Sequence, residues 1–186
     1  FKILYQHPRL LVVLLTAPGL HRTIAVAHAP HNDSSEEKCT EFWTDLSDKT
    51  KRYGINHLMI DANGTVGDAV SPSVGDSGTR QEENRGGRLF NAYLKDNQLS
   101  AVNTIFDTEI PDWTYKKGGK KDRIDYIVLP TAEVITVKDC HVINDIDLHQ
   151  EDEDHLPVFC SQAFTTIAHS RGTDPPLCPR KLADPY

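Results

Sequence analysis

Apolar residues run almost unbroken through two early stretches, "RLLVVLLTAPG" and "TIAVAH". The first has the apolar density of a signal-peptide core. The second follows at hairpin distance after Ala17-Pro18-Gly19, which favours two buried strands over 9–16 and 22–28. Polarity then changes period. Ser34 and Glu37 have capping-box spacing, and Cys39, Phe42, Trp43, Leu46 and Tyr53 recur near the helical repeat, with Gly54 as the stop. A short strand, His57–Ile60, ends abruptly at Asp61-Ala62-Asn63-Gly64. Gly, Ser and Asp fill 64–79 as a loop, and a second helix is expected over about 81–96, with Leu89, Tyr93 and Leu94 inward. "LSAVNT", "DWTY", "IDYIVLP", "AEVITVKD", "CHVIND" and "PVFCSQAF" follow as expected strands, broken by a basic loop "KKGGKKDR" and an acidic loop "HQEDEDH". Helices alternate with strands early and strands dominate late, the pattern of an α/β layered domain with mixed sheets.

Composition narrows this picture only slightly. The 186 residues suffice for one domain with a sizeable core, and 38% apolar with 25% charged is an ordinary globular mix. A net charge of −7 argues against broad, non-specific nucleic-acid binding, though not against a local basic patch. No apolar run is long enough to span a membrane. Cys39, Cys140, Cys160 and Cys178 have no C-x-x-C spacing, so a zinc site is not indicated, and they read as mostly buried, reduced thiols of an intracellular protein. The start at Phe1 and the Pro-rich end "SRGTDPPLCPRKLADPY" are those expected of an excerpt, with 166–186 as a linker or tail.

Several strands end in residues suited to phosphate chemistry. "AVAHAPHND" carries His28 and His31, "LMIDANG" carries Asp61 and Asn63, "RIDYIVL" has Asp125 within an apolar strand, and "EDEDHLPVF" places Asp154-His155 before one. Each has a plain structural alternative: a proline turn, an Asn-Gly turn, a solvent-facing strand residue, a solvated acidic run. Asp61-x-Asn63 begins like an EF-hand loop, but its glycine comes at the fourth position and Pro72 stands where the closing glutamate belongs. Asn63-Gly64-Thr65 and Asn32-Asp33-Ser34 match the glycosylation sequon, which matters only in a secreted chain.

The order of these motifs is more informative than any one of them. "AHAP", "IDANG" in place of G-D-x-N, "DWTY", "RIDYIVL" and "EDHLPV" in place of S-D-H-x-P resemble, in order and spacing, the endonuclease/exonuclease/phosphatase superfamily of DNase-like and abasic-site nucleases. "ENRGGRLFNAYLKDNQLSAVNTIFDTEIPDWTY" is similar to the endonuclease domains of non-LTR retrotransposons and craniofacial-development-protein-like sequences. The resemblance covers residues about 9 to 165 and implies a four-layer α/β/β/α sandwich, with 1–165 as a partial domain. It implies a divalent-metal-dependent phosphodiesterase, most closely a DNA endonuclease of retroelement type, using Mg²⁺ or Mn²⁺, with a reverse transcriptase downstream in the parent protein. The compartment is then read as intracellular, with the nucleus as one candidate.

Carried over residue by residue, the resemblance makes Asp61 the group that binds or activates the attacking water and Asn63 the one that fixes the phosphate. His155 stands against the scissile phosphate as base or charge stabiliser. Asp125 sets its tautomer, Asp154 lies beside the metal, and His28 takes a phosphate-contacting position. Lys117, Lys120 and Arg123, with Lys116 and Lys121, have two readings: a solvated hairpin or a phosphate-backbone contact. The set suits the chemistry. A metal ion offsets the anionic charge of a phosphodiester and acidifies bound water, a carboxylate orients the water's proton, and a carboxylate-held imidazole is a defined donor.

The departures matter as much. The family's metal-binding glutamate (in a Q-E motif) and an early asparagine lie ahead of the first strand seen here, and neither motif occurs in residues 1–30. The expectation is the C-terminal portion of the domain, impaired on its own. Glu153 replaces the usual Ser or Thr before Asp154, and Ile60 replaces the usual Gly before Asp61. Two other function classes stay open. One is a phosphoesterase of the same fold with a non-nucleic substrate, such as a phosphoinositide phosphatase or sphingomyelinase, since "KKDRIDYI" is faintly similar to the inositol phosphatase C-D-R segment without its Trp-Cys. The other is a truncated, non-catalytic copy.

Overall fold

The structure is a computed structural model and describes residues 1–77, 82–106, 113–144 and 154–164. The early apolar runs form an antiparallel meander. Strand β1, Lys2–His7, precedes β2, Leu10–Ala17, which turns at Pro18-Gly19 into β3, Leu20–His28. Gly19 takes φ 76°, a left-handed conformation that fits the tight turn. β1 was not expected from the sequence, because a bulge between Ile3 and Tyr5 interrupts its two-residue period.

Helix α1, Glu36–Tyr53, carries the chain across to β4, His57–Asp61, which lies parallel to β3. Its cap is Ser35, one residue after the expected Ser34, with the hydroxyl accepting from Lys38 N at 3.4 Å. Gly54 closes the helix with φ 61° and ψ 47°, as its sequence position predicts. Helix α2, Arg85–Asp96, starts four residues later than expected because Asn84 caps it, accepting from Gly87 N at 2.8 Å.

Short strand β5, Leu99–Ala101, is followed by a 3₁₀ turn at Val102–Thr104. The basic stretch is itself a hairpin of β6, Tyr115–Lys117, and β7, Lys120–Asp122, with Gly118 and Gly119 at positive φ. β8, Asp125–Pro130, returns to the main sheet. "AEVIT", read as strand from its β-branched residues, is a 3₁₀ helix over Thr131–Thr136, in which the Thr136 hydroxyl bonds back to Glu133 O at 2.6 Å. "CHV" is then part of one strand, β9, Val137–Val142, paired antiparallel with β10, Val158–Gln162. The strip 145–153, most of the acidic loop, and the tail 165–186 lie outside the described residues.

The main sheet has the order β1-β2-β3-β4-β8-β5. Its register separates two faces. Val12, Ala25, Leu58, Tyr126, Val128 and Ala101 project to one side and pack under Trp43 and Leu46 of α1 and Phe90, Tyr93 and Leu94 of α2. Leu11, Val26 and Met59 project to the other side and are exposed. There the β9–β10 pair covers only one part, through a cluster of Val102, Leu129, Val137 and Cys140. Of the four layers expected, the described residues hold the helical layer, the first sheet and two strands of a second.

Candidate active site

Three site residues stand in a row because the sheet register puts them there. His28 of β3 pairs with Asp61 of β4, and Asp61 pairs with Asp125 of β8. Neighbouring strands lie about 4.8 Å apart, and alternation places all three side chains on the open face. His28 Nε2 lies 3.4 Å from Asp61 Oδ2. His155 arrives from outside the sheet. Lys116 N donates to Asp154 O at 2.7 Å and Leu156 N to Thr114 O at 2.8 Å, so 154–156 runs as an added strand beside the basic hairpin. That places His155 Nδ1 3.0 Å from Asp125 Oδ2, with the Tyr115 ring 4.8 Å from the imidazole between centroids.

Asp125 is fixed from several directions. Its backbone N donates to the buried Thr114 hydroxyl at 3.0 Å, and its carbonyl accepts from Asn103 Nδ2 at 2.9 Å. Asn103 Oδ1 also accepts from Ile127 N at 3.2 Å, so one buried amide brackets the strand on both sides of Tyr126. The Tyr126 hydroxyl in turn bonds Gly64 O at 3.0 Å and Arg123 O at 2.7 Å, fastening the loop after Asp61 to the start of β8.

The turn at Asn63-Gly64 serves the site as well as the chain. Asn63 adopts φ 47°, its N donates to Asp61 Oδ1 at 2.8 Å, and its Nδ2 donates to Ala29 O at 2.9 Å. The turn rests on the first turn of α2, backbone against backbone. A β-carbon at Gly64 would overlap Gly86 and Gly87, and one at Gly87 would overlap the Thr65 carbonyl. "ENRGG" is thus the floor on which "IDANG" sits.

Electrostatics sharpen two of the groups. Burial pushes the Asp61 carboxyl above its usual range, and the neighbouring Asp125 charge adds to that. The hydrogen bond to Asp125 raises the His155 imidazole, assisted by the Asp61 and Asp154 charges. Asp61, Asp125 and His155 offer ligand atoms all within 4.8 Å of one another. The donor set suits a hard divalent ion held by two carboxylates and completed by water or phosphate oxygens. His155 Nδ1 is already engaged by Asp125, so the imidazole fits better as a proton partner than as a ligand.

Other expected residues fall elsewhere. Asp154 is exposed, bonds through its carbonyl, and its carboxylate is not in that group. The Asn63 amide is turned to Ala29 O. Lys117 is exposed on the hairpin, while Lys120 Nζ lies 2.9 Å from Asp122 Oδ2. Arg123, expected at the surface, is only 8% exposed and donates to Ser77 O at 2.7 Å, so it ties two loops together from inside. Asn103, Thr114, Tyr115 and Tyr126 received no role from the sequence. All four lie in stretches that carried the resemblance, which was the only available signal.

No family model matches the chain, and no curated protein matches it. Solved structures do. The endonuclease domain of TRAS1, a telomere-specific non-LTR retrotransposon, superposes with a TM-score of 0.59 at 16% identity, over 83% of this chain and 63% of that one. The fold is of the DNase-like type. A 3'-5' exonuclease, NExo, from Neisseria meningitidis matches this DNase-like fold with a TM-score of 0.57 at 20% identity, over 83% of this chain and 64% of that one. An AP endonuclease from Archaeoglobus fulgidus gives 0.57 at 15% identity, over 83% and 65%. The chain therefore spans under two thirds of the length of the structures it matches.

Proposed function

We propose that this DNase-like site hydrolyses phosphodiesters of DNA, in the manner of a retroelement endonuclease, with a divalent ion (Mg²⁺ or Mn²⁺). The observation that carries the reading is the convergence of Asp61, Asp125 and His155 from three distant segments, with His155 oriented by Asp125. When bound, the ion would supply charge neutralisation and a more acidic water. The two carboxylates would hold it. Asp61, beside the ion, would orient the attacking water and its proton. His155 keeps its Nδ1 directed at Asp125, which leaves Nε2 for a phosphate oxygen.

A nucleic-acid substrate is favoured over a small phosphoester by the basic hairpin. Tyr115 is bridged to His155, so the hairpin that carries exposed Lys116 and Lys117 runs beside the site, where basic side chains suit contact with a phosphate backbone. Among the described residues the metal group contains no glutamate, and turnover by this chain is accordingly proposed to be low.

Nicking of supercoiled plasmid, with each ion in turn, tests the reading. The expected result is open-circle product that disappears with chelator and in Asp61→Ala. Equal nicking by Asp61→Ala, or phosphate release from phosphoinositide headgroups without plasmid cleavage, would overturn it.

A further inference from the structure

The β9–β10 pair carries a feature that phosphodiester chemistry does not use. Its register sets Cys140 directly opposite Cys160, and both are free thiols. Ile143 N donates to Pro157 O at 2.8 Å, which marks 143/157 as a hydrogen-bonded pair. The ladder alternates, so 141/159 is hydrogen-bonded and 140/160 is not. Cα atoms across a non-hydrogen-bonded pair are about 4.5 Å apart, inside the range of about 4.4–6.8 Å that a disulfide spans.

We propose that Cys140 and Cys160 form a dithiol site that is oxidised to a cross-strand disulfide by small-molecule disulfides. The two thiols differ in access and in character. Cys140 is buried to 1% exposure, whereas Cys160 is half-buried and lines a groove with Ile24, Met59, Ile127 and Phe164. The interaction of the paired thiols lowers the pKa of Cys160 and, with burial, raises that of Cys140. Cys160 is thus the entering thiolate and Cys140 the resolving thiol. Cys160 Sγ attacks one sulfur of the reagent and releases the first thiol. Cys140 then loses its proton, attacks Cys160 Sγ and releases the second. Two protein thiols and one small disulfide become one protein disulfide and two small thiols. The cross-link closes the segment that carries Asp154 and His155, and the inference stands independently of the hydrolytic reading.

The test equilibrates the full chain with oxidised and reduced glutathione, quenches in acid, alkylates and maps peptides by mass spectrometry. The expected product is the Cys140–Cys160 linked peptide in the wild type, and a glutathione adduct retained on Cys160 in Cys140→Ser. A trivalent arsenical, which needs two thiols, is expected to bind the folded wild-type chain and to be displaced by a dithiol but not by a monothiol. A persistent Cys160–glutathione adduct in the wild type, links only to Cys39 or Cys178, or no arsenical retention would overturn the proposal.

Discussion

The two faces of the main sheet are built from similar residues and meet opposite environments. On the helix side, Val12 and Ala25 are wholly buried and Phe90 stacks between Trp43 and Tyr126. On the other side Val26 is 49% and Met59 41% exposed, although both sit in strands as apolar as any in the chain. Strands apolar at both parities are the kind that sheets bury on both faces, and the described residues cover one face and only part of the other. The open face also holds the candidate site, because His28, Asp61 and Asp125 occupy its end. One face stores stability, and the other combines an apolar band with partly desolvated charge.

The sharpest way to break this comparison is catalytic. Asp125→Asn keeps the shape but removes the charge that orients His155, and is expected to slow plasmid nicking by about 10²–10⁴-fold. Next comes packing. Phe90→Ala is expected to lose about 3–5 kcal/mol, whereas Val26→Ser on the open face should change stability by less than about 0.5 kcal/mol. Urea titration checks both. An equally large loss at Val26 would show that the open face is covered in solution.

The third is a pH effect of defined sign. Burial raises the Asp61 pKa in the folded state, so its ionised form costs stability at neutral pH, and the cost vanishes in acid once both states are protonated. Asp61→Asn should therefore be more stable than wild type at pH 7, the gain disappearing below the ordinary carboxylate value of 3.8, while nicking is lost. His155 has the opposite dependence. Its raised pKa makes its pairing with Asp125 fully effective below 6.5 and lost as pH rises through the folded value, so melts of wild type and Asp125→Asn should converge in alkali. The smallest effect is on binding. Lys116→Ala and Lys117→Ala should each reduce the salt slope of DNA binding by about 0.9, without a base preference.

Much of this was legible in the residues, and what was not has a physical cause. Gly54 stops α1 where its composition predicts, since only a residue without a β-carbon readily takes that left-handed position. The late start of α2 was missed because Asn84, as a cap, ends the loop instead of beginning a periodic pattern. Thr131–Thr136 was misread because β-branched residues favour strands only where a partner exists. At the site, Asp61, Asp125 and His155 were named from motif order, but their adjacency rests on a strand pairing between residues 61 and 125 and on a side-chain contact between residues 125 and 155. Arg123 was placed outside because charge alone suggests a surface, yet its bond to Ser77 O holds it within.

The central claim is that Asp125 and His155 act as one unit on the phosphodiester, and a double-mutant cycle on the nicking rate tests it most directly. Asp125→Asn, His155→Ala and the double variant are predicted to lose nearly the same factor, because removing either group disables both. Losses that multiply, or a double variant that nicks as fast as wild type, would contradict it.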